Sequence, residues 1–513
     1  MKTTCAYCGV GCGIRLSREG DNWQLQGDEQ HPANGGALCV KGASLLESLA
    51  FPDRLLYPRW MGQRIGWDQA LDTLASRFAT ILAESGPSAI GIYLSGQLTT
   101  EDYYVANKLM KGFIGSANID TNSRLCMASS VAGHKRAFGA DVVPCSYEDL
   151  EEADLVVLTG SNLAWCHPVL FQRIAAAKAA RPQMQIVTID PRETATSTLS
   201  DLHLAVAPDG DIALFNGLLA HLAETGAVDA HYVARHVNGF DKALARARAT
   251  DPAQSGLSPA QREAFYHLWA QTPKVVTVYS QGVNQSTSGT DKVNAIINCH
   301  LATGRIGQRG AGPFSVTGQP NAMGGREVGG LANMLTNHLD IENADHRAAV
   351  QAFWQSPTIC TQAGLKAVDL FKACESGQIK ALWVISTNPA VSMPDTDQVV
   401  RALNTVPFVV VSDIMARTDT GDLADVLLPA AGWGEKSGTV TNSERRISRQ
   451  RAFLPVPAQA RPDWQIVRDV AQQLEKRLGA PRIPVGYAPV LEAQARLSVP
   501  RIVECALALL ERR

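Results

Sequence analysis

Four cysteines near the start of the chain carry the clearest chemical signal. Cys5, Cys8 and Cys12 form a C-x2-C-x3-C run, and Cys39 follows after 26 intervening residues. A compact loop brings three sulfurs to one face and a returning segment supplies the fourth, so each thiolate can hold one corner of a cubane iron–sulfur cluster. Gly9, Gly11 and Gly13 interleave the ligands. Glycine lets the backbone bend tightly around an inorganic core and aim N–H groups at its sulfides. The alternative is structural zinc, which usually reads as two separated C-x2-C or Cys/His pairs rather than a crowded triplet plus one. Ligand preference favours the cluster.

The other cysteines are Cys126, Cys145, Cys166, Cys299, Cys360, Cys374 and Cys505, eleven in all among 513 residues, an odd and sparse count for a disulfide scaffold. They fit a reducing compartment in which most are small buried hydrophobes. At 45% hydrophobic and 19% charged, the chain can bury large cores in three or four domains or lobes and is neither disordered nor fibrous. A formal net charge of −2 gives no reason to expect nucleic acid or an acidic membrane as partner. Met1-Lys2-Thr3-Thr4 runs directly into the first ligand, which leaves no room for a signal peptide and leads to the expectation of a cytoplasmic protein. No window approaches 18 uninterrupted apolar residues, so no membrane span is expected.

Behind these ligands, apolar periodicity predicts an amphipathic helix over 67–84, carried by Ala70, Leu71, Leu74, Phe78, Ile81 and Leu82. Short apolar runs at 89–94, 154–159, 185–189, 274–279, 381–385 and 408–411 read as buried strands, with a helix over 169–180 between two of them. Strands alternating with helices imply parallel sheets covered on both faces, hence a doubly wound α/β fold. Polar or glycine-bearing tips follow five of the strands: Gly160-Ser161-Asn162, Asp190-Pro191-Arg192, Gln281-Gly282-Val283-Asn284, Ser386-Thr387-Asn388-Pro389 and Ser412-Asp413. Open α/β sheets bind ligands at this edge, so the tips point to one or two large, polar, phosphate-bearing ligands. Each tip taken singly also reads as an ordinary turn. Neither a P-loop nor a G-x-G-x-x-G fingerprint is present.

Between Gly304 and Gly330 lie nine glycines without regular period, mixed with Gln319, Asn321, Met323, Arg326 and Glu327. That mixture suits backbone wrapped against a ligand better than a flexible linker.

Cluster motif, ligand-facing tips and glycine-dense loop together resemble the molybdenum oxidoreductases that carry two molybdopterin guanine dinucleotides. Within them, Asn122-Ser123-Arg124-Leu125-Cys126-Met127-Ala128-Ser129-Ser130 looks like the segment that holds the metal's cysteine ligand in nitrate reductases. Formate dehydrogenases place histidine directly after the metal-bound Cys or selenocysteine, whereas this chain has Met127. The run from Gln319 to Gly329, QPNAMGGREVG with its first glutamine at 319, is equally characteristic of the nitrate-reducing branch. The likeness to the assimilatory, cytoplasmic members spans nearly the whole chain.

The resemblance implies roles residue by residue. Cys5, Cys8, Cys12 and Cys39 would bind a [4Fe-4S] cluster. Cys126, otherwise an ordinary core thiol, would bind molybdenum; a thiolate is soft and anionic, as a dithiolene-bound metal prefers. Lys41 would lie between cluster and pterin, where a cation lowers the cost of placing an electron on either centre. Met127 and Arg326 would stand near the metal's open face, and a guanidinium suits a planar oxyanion such as nitrate. Arg326 also reads as a contact to pterin phosphate. Gly160, Ser161, Asn162, His167, Asp190, Arg192, Gln281, Gly282 and Gln319 would hold one dinucleotide, and Asn388, Asp413, Glu435, Thr441 and Asn442 the other.

The implied architecture is a cluster domain over 1–57, one α/β lobe from 58–135 with 325–455, a second over 136–324, and a helical segment over 456–513. Val499 to Arg513 reads as an amphipathic helix, and the β-rich C-terminal domain with which the family completes its pterin sites is not in the sequence. The implied activity is reduction of nitrate to nitrite with electrons from ferredoxin, flavodoxin or a separate flavoprotein. A formate dehydrogenase-like enzyme and a non-catalytic iron–sulfur protein are the competing readings.

Overall fold

Most long strands in this chain are apolar runs buried on both faces, the signature of parallel sheets covered by helices. The computed structural model describes residues 1–20, 22–49 and 51–478; the expected helix over 499–513 lies outside them. Around the cysteine loop, β1 (Lys2–Thr4), β2 (Gly13–Glu19) and β3 (Asn22–Gly27) form a small antiparallel sheet. The chain then enters a large sheet through β4 (Arg59–Trp60), β5 (Gln63–Arg64), β6 (Ile90–Leu94) and β7 (Ile119–Thr121). A second sheet takes β8 (Leu155–Thr159), β9 (Gln185–Ile189), β10 (Leu202–Leu204), β11 (Val275–Tyr279) and β12 (Gly312–Ser315). The first sheet is completed by β13 (Ala381–Ile385), β14 (Val409–Asp413) and β15 (Val426–Pro429), and β16 (Gly438–Thr441) pairs with β17 (Ile447–Gln450) as a hairpin.

The class is the doubly wound α/β one that the alternation implied. Two details differ. β14 runs on through Ser412 and Asp413, which pair with Ile385 and Pro429, so this tip is the end of the strand itself. β12 lies inside the glycine-dense stretch, where Gly312 and Pro313 conceal it, as both are disfavoured in strand interiors.

The first sheet has the order β5-β4-β15-β14-β13-β6-β7 and is parallel from β15 to β7; the second is wholly parallel with order β10-β9-β8-β11-β12. The direction of winding reverses between β6 and β13 in one and between β8 and β11 in the other, and these two switch points are where a doubly wound sheet opens a ligand crevice. The helix Trp67–Ser85 buries Ala70, Leu71, Leu74 and Phe78 against the first sheet beside the helix Asp463–Leu478.

The cluster loop is seated against both lobes. Tyr147 Oη donates to the carbonyls of Gly9 and Val10 at 3.0 and 3.1 Å. Ser443 donates to the Gly9 carbonyl through its N–H at 2.8 Å and its hydroxyl at 3.0 Å, while the hydroxyl accepts from the Thr317 N–H at 3.0 Å. Asn442 Nδ2 donates to the Val10 carbonyl at 3.2 Å. The approach leaves no room for a side chain at Gly9, where a Cβ would stand 2.3 Å from Thr317 Cγ2 and from its carbonyl oxygen. Gly9→Ala therefore separates the loop from Thr317; overpacking of this kind costs about 1–3 kcal/mol, and the variant is expected to melt earlier and to retain less iron. Gly66→Ala, which meets nothing within 4 Å, should do neither; equal melting and iron content in the two variants would contradict the close packing.

Candidate active site between the two sheets

Cys5, Cys8 and Cys12 are buried and Cys39 is partly so. Burial pushes the thiol of Cys5 up to about 12, with the charges of Cys8 and Cys39 adding to the effect, and it raises Cys8 and Cys12 as well. A buried thiol becomes a thiolate when a metal centre offsets the charge, and the mutual influence of Cys5, Cys8, Cys12 and Cys39 puts these four donors in one neighbourhood, as a cluster requires. Lys41 is exposed, yet its charge is felt by Cys5 and Cys8 on one side and by His167 on the other.

At the switch point of the second sheet, the tips of β8 and β11 touch. Gly282 N–H donates to the Gly160 carbonyl at 2.9 Å, and a Cβ on Gly160 would lie 2.8 Å from Gly282 C. Around this contact, Thr159 Oγ1, Ser161 Oγ, His167 Nδ1, Thr317 Oγ1 and Gln319 Oε1 are buried without a hydrogen-bond partner among the described residues. Buried polar atoms are ordinarily satisfied, so a row of orphans along one edge marks where a polar ligand belongs. His167 Nε2 is bonded to the Thr317 carbonyl at 2.8 Å. Asn162 accepts from Thr196 Oγ1 at 2.8 Å, Asp190 accepts from the Arg192 N–H at 3.2 Å, and Arg192 is exposed.

The other switch point is tied to the same edge by Asn122, which accepts from the Gly96 N–H and from Gln319 Nε2, both at 2.7 Å, and donates to Thr387 Oγ1 at 3.1 Å. Asp413 is buried at the end of β14, and burial raises its carboxyl against the N–H groups of Met415 and Ile414. Asn388 accepts from the N–H and hydroxyl of Thr420 at 3.1 and 2.6 Å. Three further expected ligand contacts have protein partners: Glu435 forms a two-pronged ion pair with Arg54 at 2.7 Å, Thr441 bonds Glu327 at 2.8 Å and Asn321 at 2.7 Å, and Asn442 holds the cluster loop.

Cys126 sits near the start of the helix Arg124–Phe138, beyond the tip of β7, and the helical geometry breaks at the next residue, Met127, with φ −144° and ψ 27°. Arg326, buried in the short helix Ala322–Glu327, bonds Asp141 Oδ2 through Nε at 2.6 Å. Its two terminal nitrogens face sulfur, Met127 Sδ at 3.1 Å and Met323 Sδ at 2.7 Å. Thioethers are weak acceptors, so two guanidinium donors are kept available. The loop that follows is pinned by the buried Lys111, whose Nζ donates to the carbonyls of Gly329, Leu331 and Met334. Sequence reasoning missed Asp141, which lies 3.8 Å from His134 Nδ1 and 3.9 Å from His338 Nδ1. Burial works against its charge, but Arg326 and the two histidines outweigh it and hold the carboxyl below its ordinary value.

This arrangement, a buried loop of three cysteines with a fourth, partly buried one on a returning segment, set against the switch points of two doubly wound sheets, defines a class of cofactor-bearing oxidoreductase. Residues 57–473 match the molybdopterin oxidoreductase family and residues 1–50 match the molybdopterin oxidoreductase Fe4S4 domain. The chain belongs to the molybdopterin oxidoreductases. It is 55% identical over 478 residues to a nitrate reductase of Klebsiella oxytoca, an alignment that covers 92% of this chain and 54% of the relative. It is 35% identical to a periplasmic nitrate reductase of Desulfovibrio desulfuricans, over 90% of this chain and 64% of that one, and 35% identical to an assimilatory nitrate reductase of Haloferax mediterranei, over 99% and 71%. The chain thus spans about half the length of the Klebsiella relative. The solved structure of acetylene hydratase from Pelobacter acetylenicus shares its fold with a TM-score of 0.76 at 18% identity, over 92% of this chain and 69% of the other. The family's cofactors are a [4Fe-4S] cluster, which decides against zinc at the cysteine loop, and molybdenum bis(molybdopterin guanine dinucleotide). Among the described residues no helix is long and apolar enough to cross a membrane.

Burial pushes the imidazoles of His134, His167 and His338 down to about 4 from the ordinary 6.5. Folding keeps them neutral, whereas the unfolded chain takes up protons below its ordinary imidazole range. Their contribution to stability is therefore complete above about pH 6.5 and is lost as pH falls towards 4, at about 1.4 kcal/mol per pH unit for each proton. Denaturant midpoints should drop between about pH 7 and about pH 5; a flat profile would show that the three rings are not held neutral.

Proposed function

We propose that the chain is a catalytic polypeptide of a molybdenum nitrate reductase of the assimilatory, cytoplasmic kind, reducing nitrate to nitrite and water with two electrons and two protons. The observation that carries this reading is the Arg326 guanidinium: one edge is fixed by Asp141 and two donors are turned to the Met127 and Met323 sulfurs, two methionines away from any strong acceptor. A planar trigonal anion offers such a fork two oxygens at once. Met127 follows Cys126 directly, so the anion would be presented beside the metal's protein ligand. When bound, the molybdenum cofactor supplies the two-electron chemistry that takes one oxygen from nitrate, and the cluster supplies electrons one at a time. Cys126 would hold the metal, Asp141 keeps Arg326 oriented, and the apolar Met127 and Met323 limit the water around the bound anion. The relative from Klebsiella oxytoca, which is a nitrate reductase, supports the substrate. Lys41 would ease electron passage between the two centres, and a ferredoxin, flavodoxin or flavoprotein would supply the cluster.

Metal content and dye-linked assays test this. Protein purified anaerobically from its host should carry about four irons and about one molybdenum per chain and should reduce nitrate with a reduced viologen. Arg326→Lys, which keeps the charge and loses the fork, should raise KM for nitrate about tenfold or more, since a hydrogen bond to a charged group contributes about 1.5–3 kcal/mol. Iron without molybdenum, or formate oxidation in place of nitrate reduction, would sink the proposal.

A further inference from the structure

One hydrogen bond crosses between the two lobes at the metal ligand itself. Gln281, which opens the turn after β11, donates from Nε2 to Cys126 Sγ at 2.8 Å. Its Oε1 lies beside the Ser280 hydroxyl, which also faces the Val316 carbonyl at 3.2 Å, and the Gln281 backbone carbonyl accepts from the Gln285 N–H at 2.8 Å, closing the short turn that carries the side chain. Turned the other way, the amide would press its oxygen against the sulfur. Gly318, just beyond β12, closes over the pair; a Cβ there would stand 3.4 Å from Gln281 Nε2 and 3.6 Å from Cys126 Sγ. Gly282, the next residue, stays at the switch point against Gly160, so one turn serves two ends: its backbone meets the ligand crevice and its first side chain meets the sulfur.

An N–H aimed at a thiolate draws charge from the sulfur and weakens its donation to a bound metal, which makes the metal easier to reduce. An amide does this without adding a net charge. A lysine at 281 would offer the same bond and would also draw anions to the sulfur and away from the Arg326 fork. Because the donor comes from the lobe opposite the ligand's own helix, the bond also fixes where the sulfur points relative to both sheets.

We propose that Gln281 is a positioning residue that aims the Cys126 sulfur between the two switch points and, through its hydrogen bond, raises the reduction potential of the metal held there. The proposal rests on Cys126 being the metal's protein ligand. It does not depend on nitrate being the substrate.

Gln281→Leu removes the donor and keeps the volume, and Gln281→Asn withdraws it by one methylene should the leucine variant fold poorly. Two readouts are needed, neither using nitrate. In molybdenum-loaded protein, redox titration followed by the Mo(V) resonance should place the midpoint of either variant below that of the parent, with the cluster's midpoint unmoved. In cofactor-free protein, mass spectrometry should show Cys126 taking up iodoacetamide about two- to tenfold more slowly in the variants, the range set by a hydrogen bond of about 0.5–1.5 kcal/mol. The exposed Cys166 provides an internal standard that should alkylate equally in all three proteins. An unchanged or raised midpoint, or Cys126 alkylation unchanged relative to Cys166, overturns the proposal. Absence of nitrate reduction with both shifts present would overturn the substrate reading and leave Gln281 in its role.

Discussion

The seat of the cluster loop is the contact on which the rest of the architecture depends. Two consecutive carbonyls, those of Gly9 and Val10, receive donors from Tyr147, Ser443 and Asn442, and Thr317 leans on the same serine. Tyr147 and Thr317 belong to the second lobe, while Asn442 and Ser443 lie in the β16–β17 hairpin that returns after the first. A backbone loop bonded to both lobes cannot shift with one of them alone. The distance from the cysteine sulfurs to the crevice is thus set by these hydrogen bonds and by glycine's lack of a side chain, together with the apolar core in which Val10, Ile14 and Leu16 pack with Tyr147, Leu163 and Phe314 of the second lobe.

The crevice follows from topology. A doubly wound sheet must leave its strand ends uncovered where the winding reverses, and two such sheets face each other here with Asn122, Gln319 and Gln281 bridging them. Polar groups at these ends are of two kinds. Some are bonded within the protein, as Glu435 is to Arg54 and Thr441 to Glu327. Others are buried with nothing to bond, as Ser161, Thr317 and Gln319 have one atom each. The second kind bears an energetic cost in the bare protein that a large polar ligand would relieve, and Thr159, Ser161, His167, Thr317 and Gln319 share it.

Much of this was legible in the sequence, for identifiable reasons. Cysteine spacing is a covalent property, so a cluster segment at the start of the chain could be read without knowing the fold, and residues 1–50 match the Fe4S4 domain. Strands such as 185–189 and 381–385 announce themselves because burial on both faces demands unbroken apolar runs. β12 stayed hidden because its glycine and proline belong to turns in any local reading, and only pairing with β11 makes them a strand. Asp141 gives no signal at all in the segment Gly139-Ala140-Asp141; it becomes a partner of Arg326 through a contact between residues 185 positions apart. The same holds for Gln281 and Cys126. Local pattern yields elements and covalently spaced ligands, whereas the groups that orient those ligands arrive from elsewhere in the chain.

The insertion of one lobe within the other has a consequence for biosynthesis. β6 pairs with β13, and the second lobe lies wholly between them, so during translation the inserted lobe can complete its sheet while the first sheet is still missing its centre. Ser443, which grips Gly9 from 434 positions away, emerges later still. The loop around Gly9 therefore finds this seat only once Ser443 has emerged. Contacts of such long sequence separation form slowly, so the loop around Gly9 is seated late in folding, after the inserted lobe has had the chain it needs to complete its own sheet.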